Sequence, residues 1–138
     1  MSKMDTTDSL RISSDTLTST EIQAILGTEG TRCFDKGEKM SARNPSSMKR
    51  DCSLWILNSD LPKGSSIDEH LGQLADFIHS HLPQFEILKL QCTFDFYCGL
   101  FFLERIGQGG VTIPAPLLAK LMKIPPDIAV NVYYPSTE

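Results

Sequence analysis

The chain has 138 residues, with 13 Lys and Arg against 17 Asp and Glu and a net charge of −4. That length predicts one domain, able to bury a core without disulfide or metal support. The 41% hydrophobic content is too high for general disorder, and the acidic balance argues against a nucleic-acid or anionic-membrane binder.

Residues 1–8 are polar and include Asp5 and Asp8, so they are expected as a disordered tail and lack the apolar run of a secretory signal. A single domain is then expected over 9–135. In Ser9–Ser14, Leu10 and Ile12 alternate with Arg11 and Ser13, the pattern of a half-buried strand. Thr18 with Glu21 forms a capping box, Leu17 and Ile22 a hydrophobic staple, and Gly27 a left-handed stop. A helix of about eight residues is predicted there. Residues 28–52 show no period and hold Gly30, Gly37 and Pro45. A long irregular loop is expected, and such loops are usually functional or mobile.

Ser53–Asn58 is apolar on both faces and reads as a covered strand, with Trp55 inside it. Ser66 and Glu69 form a second capping box. Ile67, Leu71, Leu74, Ile78 and Leu82 then recur at helical spacing until Pro83, which is expected to end the helix. From Leu88 to Phe96 apolar residues fall at every second position, which predicts a strand continuing through Leu103, with a bulge or a hairpin turn at Cys98-Gly99. A glycine turn at Gly107–Gly110, a Pro-started helix around Leu117–Met122 and a strand over Ile128–Tyr134 complete the chain.

This order predicts an α+β fold. Two β-α-β units, over 9–58 and 88–134, would be joined by the long helix 66–82. They would form a four-stranded, mostly antiparallel or mixed sheet with helices on one face, close to a ferredoxin-like sandwich. Edge strands such as Ser9–Ser14 would leave a strand-paired homodimer open beside the monomer.

Charge is unevenly placed. Lys36, Lys39, Arg43, Lys49 and Arg50 face only Glu38 between residues 36 and 50, so this segment carries +4 and the remainder −8. Arg is suited to bidentate contact with carboxylate or phosphate, so the segment is the candidate contact for an anion or an acidic partner. A solvated loop kept soluble by its charges is the plainer reading. Trp55 is expected in the core, or else as a stacking surface for a ligand. His70 reads as a surface or boundary residue. His79 and His81 point apart on a helix and make no ligand pair. Cys33, Cys52, Cys92 and Cys98 contain no C-x-x-C and read as free thiols of a reducing cytoplasm. Cys98 beside Gly99 would need a base and a lowered thiol pKa to act as a nucleophile.

The capped helix ending Leu26-Gly27, the loop with Lys36-Gly37, and the strand Ser53-Leu54-Trp55-Ile56-Leu57-Asn58-Ser59 form a recognisable order. Glu69-His70-Leu71 and a terminal strand ending at Tyr133 or Tyr134 follow it. Over roughly residues 9–134 the chain resembles the bacterial domain-of-unknown-function family numbered 4279. The resemblance implies a small stand-alone bacterial domain and carries no assigned activity.

No catalytic, metal or cofactor motif is present, so a non-enzymatic, cytoplasmic protein-interaction module is expected, with no membrane or nucleic-acid partner. An immunity-type inhibitor of a co-produced toxin is its most concrete form. The alternative is a small-molecule or anion-binding domain, with a pocket beside the 28–52 loop contacted by Trp55, Arg43 and Arg50.

Overall fold

The computed structural model describes residues 4–41, 43–104 and 110–135. Among them the chain forms β1 (Met4–Ser14), α1 (Ser19–Leu26), β2 (Arg32–Phe34), β3 (Ser53–Asn58), α2 (Ile67–Ser80), α3 (Leu82–Leu88), β4 (Thr93–Phe102), α4 (Ala115–Leu121) and β5 (Asp127–Tyr133). No described helix is long and apolar enough to cross a membrane.

The two capped helices start where their local chemistry places them. Thr18 and Ser66 each accept the backbone N–H three residues on, while Glu21 and Glu69 reach back to the cap N–H. Each cap contributes about 1 kcal/mol, because it satisfies amides that have no partner within the helix. Gly27 closes α1 at φ 71°, a left-handed conformation in which a side chain would be strained.

The strands form one mixed sheet in the order β2-β3-β1-β4-β5. β1 is antiparallel to both β3 and β4, β2 is antiparallel to β3, and β5 is parallel to β4. The class is the expected α+β, but the sheet has five strands and the units are arranged differently. Residues 9–58 are not one β-α-β unit, because β1 and β3 are antiparallel neighbours. The interlocked units are β1-α1-β2 and β3-α2-α3-β4, the latter crossing over β1, and α4-β5 adds a further parallel strand. The first four strands thus keep a ferredoxin-like order. Ser9–Ser14 lies at the centre of the sheet and not at its edge.

β1 begins at Met4, so most of the expected tail is strand. Thr6 and Asp8 in that stretch are buried on the same side as Leu10 and Ile12. Pro83 does not end the helical region. It stands in the first turn of α3, where its missing N–H would have had no helical partner. The alternation from Leu88 to Cys92 is therefore not strand: Leu88 is the buried end of α3, and Leu90 is exposed. Gly99 is neither bulge nor turn. It pairs in register with Thr7 and Asn131, and a Cβ there would meet Phe101 and Thr7, each at 2.9 Å. The glycine leaves room for the Phe101 ring, which stacks on Tyr133 at 4.7 Å. Of the expected 107–110 turn, residues 107–109 lie outside the described residues.

The core lies between one sheet face and the helices. Leu10, Ile12, Trp55, Phe94 and Phe96 meet Ile22, Leu71, Leu74, Ile78, Phe85 and Leu121 there. Residues of opposite parity face away from the helices. On that face Arg11 donates from Nε and Nη2 to the two Asp95 oxygens at 2.9 and 2.6 Å, and its guanidinium lies 4.9 Å from the Tyr97 ring centroid.

Candidate functional site

Two regions combine polar or charged side chains in ways the fold does not require. The first is the basic segment. Within the 28–52 segment expected as a long irregular loop, β2 pairs with β3, and residues 37–41 and 43–50 fold back on one another as a hairpin arm with one bridge, Lys39 to Lys49. Gly37 N–H donates to the Arg50 carbonyl at 2.9 Å, Arg50 N–H to Glu38 at 2.7 Å, and Met40 N–H to Met48 at 2.9 Å, with Lys39 directly opposite Lys49. The tip is closed by Ser47 N–H to the Asn44 carbonyl and Ser41 N–H to Ser47 Oγ. The root is tied to the body. Asp35 Oδ1 accepts the Ser19 N–H at the start of α1, and Ser53 Oγ accepts the Lys36 N–H. The sequence shows no period here because the ladder uses backbone groups of mixed, mostly polar residues.

Lys36, Lys39, Arg43 and Lys49 are exposed, and none has a carboxylate partner among the described residues. Met40 and Met48 are also exposed, at 54% and 71%. Arg50 behaves differently: it is half-buried, with its guanidinium 3.7 Å from the Phe34 ring centroid. It braces the root of the arm by a cation–π contact.

The second region is a cleft of about 600 Å³ beside the end of β3. β3 leaves β1 at Ser59, whose N–H donates to the Asp8 carbonyl, and the chain returns where Thr6 N–H donates to the Lys63 carbonyl. Residues 60–62 lie between these two contacts, and the cleft opens there. Asp8 and His70 are among the residues around it but are exposed by only 2% and 1%, with the Asp8 carboxyl oxygens and His70 Nε2 fully buried. His70 is thus not the surface or boundary residue expected from sequence. Ser59 Oγ and His70 Nδ1 are 2.5 Å apart. His70 Nε2 and both Asp8 carboxyl oxygens have no hydrogen-bond partner among the described residues. Burial raises the Asp8 pKa, while the nearby Cys98 thiol and His70 imidazole pull it the other way. Burial, reinforced by Asp8, holds the Cys98 thiol far above its usual range, so it is not an activated nucleophile. The walls carry Arg32 and Lys63, which have no carboxylate partner among the described residues.

The model of the family described as Domain of unknown function (DUF4279) matches residues 5–135. The chain belongs to the DUF4279 family. No curated protein and no solved structure matches it.

In this DUF4279 domain the expected site residues divide into three groups. Lys36, Lys39, Arg43 and Lys49 share the arm. Arg50 is at its root and turns to Phe34. Trp55 is fully buried, with Gly30 packed so closely that a Cβ would come within 2.8 Å of the indole nitrogen. Trp55 therefore has no face for a ligand, and the main cleft does not lie where Trp55, Arg43 and Arg50 would contact it. Sequence reasoning does not assemble Asp8, Ser59 and His70 as a group. Parity alone could have placed Asp8 beside Leu10 and Ile12, and helical spacing could have placed His70 with Ile67, Leu71 and Leu74.

Proposed function

We propose that this domain is a non-enzymatic protein-interaction module whose basic arm docks against an acidic surface of its partner. The observation that carries the reading is the arm itself: four exposed cations without carboxylate partners among the described residues, and two exposed methionines, on a hydrogen-bonded hairpin anchored at its root. An ordered arm loses less conformational entropy on docking than a mobile loop does. Methionine side chains adapt to irregular apolar surfaces, and the cations steer an oppositely charged partner into contact.

The more specific form of the proposal is an immunity-type inhibitor of a co-produced toxin. A compact scaffold with one projecting charged arm suits the plugging of a partner's cleft. The test is affinity capture from a lysate of the source organism, in parallel with a Lys36→Glu, Lys39→Glu, Arg43→Glu, Lys49→Glu variant. One protein retained stoichiometrically by the native chain and lost by the variant is the expected result. Equal retention by both would remove the arm from the contact. For the inhibitor form, co-expression with an adjacent toxin-like reading frame should restore growth, and continued toxicity would reject it.

A further inference from the structure

The two edges of the sheet are not alike. β2 ends one side with three residues, carries Arg32 and leads into the basic arm, so it offers another strand little to pair with. β5 ends the other side with seven residues, and its outer edge has no strand partner among the described residues. Lysine, proline and bulges are the usual devices that keep an edge from pairing. β5 contains no Lys, Arg, Pro or Gly, its register with β4 is unbroken, and its one charge, Asp127, stands at its first position.

The side chains beside this edge are apolar and open. Ile128, Val130 and Val132 pair with Phe96, Cys98 and Leu100, which face the helices, so they share that face. Val130 and Val132 are nonetheless 43% and 46% exposed. α4 extends the patch. Its Leu117 and Leu121 turn into the core, and Lys120 reaches Asp76 on α2. At about 100° per residue, Leu118 and Met122 then stand on the flank away from α2. Because α2 packs over β1, that flank is the one on the β5 side, and both residues are exposed there. Tyr134 continues the row beyond β5, stacked on Phe102. Leu118, Met122, Val130, Val132 and Tyr134 leave on the order of 500 Å² of side chain open, the size at which a surface patch is often functional.

We propose that β5 pairs antiparallel with β5 of a second copy about a two-fold axis at Val130, joining the two five-stranded sheets into one. This register sets Val130 against Val130, Ile128 against Val132 and Ala129 against Asn131. Asp127 faces Tyr133, so the strand's one carboxylate meets a hydroxyl-bearing ring and no like charge. The backbone edge would accept any strand. The side-chain order selects a second copy, because β-branched residues alternate with small or polar ones in the same way in both directions from Val130. Antiparallel pairing also keeps both sets of helices on one side, so the two α4 flanks face each other beside the paired valines. Doubled by symmetry and joined by the paired backbones, the patch approaches the roughly 1,200 Å² at which specific interfaces begin.

Sedimentation velocity of the whole domain over about 1–100 μM should show a species of twice the chain mass. Val130→Lys sets like charges opposite each other on the axis and should raise the dissociation constant at least about ten-fold, with the far-UV spectrum kept. Met122→Glu, on the exposed α4 flank, should act in the same direction. Disulfide trapping reads the register, in a Cys33→Ser, Cys52→Ser background with diamide as oxidant. Val130→Cys should give a covalent dimer, because directly opposite Cβ atoms stand about 5 Å apart. Ile128→Cys should not, because its two copies would be four residues out of step, about 13 Å. A monomer throughout that range would overturn the proposal and leave the edge to a foreign strand. A dimer indifferent to Val130→Lys, or equal trapping at both positions, would also overturn it. None of these outcomes bears on the partner capture, because the substitutions leave the arm's cations unchanged.

Discussion

The arm and the cleft both leave charged side chains without carboxylate or hydrogen-bond partners among the described residues, but under opposite solvation. On the arm, Lys36, Lys39, Arg43 and Lys49 stand in water, and leaving them unpaired costs the fold almost nothing. In the cleft, Asp8 and His70 are removed from water, so each unpaired atom opposes folding. The arm should therefore tolerate sequence change with little loss of stability, and its charges should register only when a partner arrives. The cleft should register its charges in the stability of the free domain.

The largest effect should come from a residue that belongs to neither region. Trp55 lies beneath Gly30, with its ring 6.0 Å from Phe77 and no exposed surface. Trp55→Ala should cost about 3–5 kcal/mol in urea unfolding, in the range of other buried aromatics. A loss under about 1 kcal/mol would return Trp55 to the candidate contact residues. Charge reversal on the arm should show the opposite pattern. The four-residue Glu variant should unfold within about 0.5 kcal/mol of the native chain. Its partner affinity should fall by about 100-fold, near 3 kcal/mol, and the association rate should lose most of its salt dependence. A large loss of stability would mean that the arm's cations support the fold instead.

Asp8 gives the cleft's counterpart. Its folded pKa is raised, so the native state holds a proton there more tightly than the unfolded chain. This carboxyl's contribution to stability is therefore least favourable above the raised value. It improves as pH falls through that value towards 3.8, the reverse of a salt-bridged Asp. Asp8→Asn should raise stability by about 1 kcal/mol at neutral pH. It should also remove this part of the pH profile, with Cys98 and His70 left as the titratable neighbours. An unchanged profile, or a destabilised variant, would show that Asp8 has a satisfying partner in solution.

The parts of this fold that can be read from sequence are those set by neighbours in the chain. Thr18 with Glu21 and Ser66 with Glu69 place two helix starts correctly, because capping is decided within four residues. The 88–92 alternation misleads because Phe85 and Leu88, three apart, fit a helix equally well, and only packing against the sheet chooses between them. Strand order is beyond reach for the same reason. That Ser53–Asn58 pairs with β1, and that β1 also receives β4, depends on contacts between residues far apart in the chain. The cleft inherits this non-local character, since Asp8, Ser59 and His70 meet only after β1 and β3 have paired. The arm's charges are visible as a run, but the hairpin that carries them is not.

The smallest expected effect separates a contact surface from a solvated loop. Lys39 and Lys49 stand directly opposite one another across the arm's ladder. Like charges in that position oppose strand pairing, whereas an opposite pair supports it by a few tenths of a kcal/mol. Lys49→Glu alone should therefore leave the domain unchanged or stabilise it by about 0.2–0.5 kcal/mol. A loop kept basic only for solubility loses nothing by that exchange. A docking arm does, because the introduced carboxylate would meet the partner's acidic surface while strengthening the ladder behind it. Slower association of the Lys49→Glu variant, together with an equal or higher melting temperature, would show stability and binding in opposition at one position. Unchanged association would place Lys49 outside the contact and confine it to Lys36, Lys39 and Arg43.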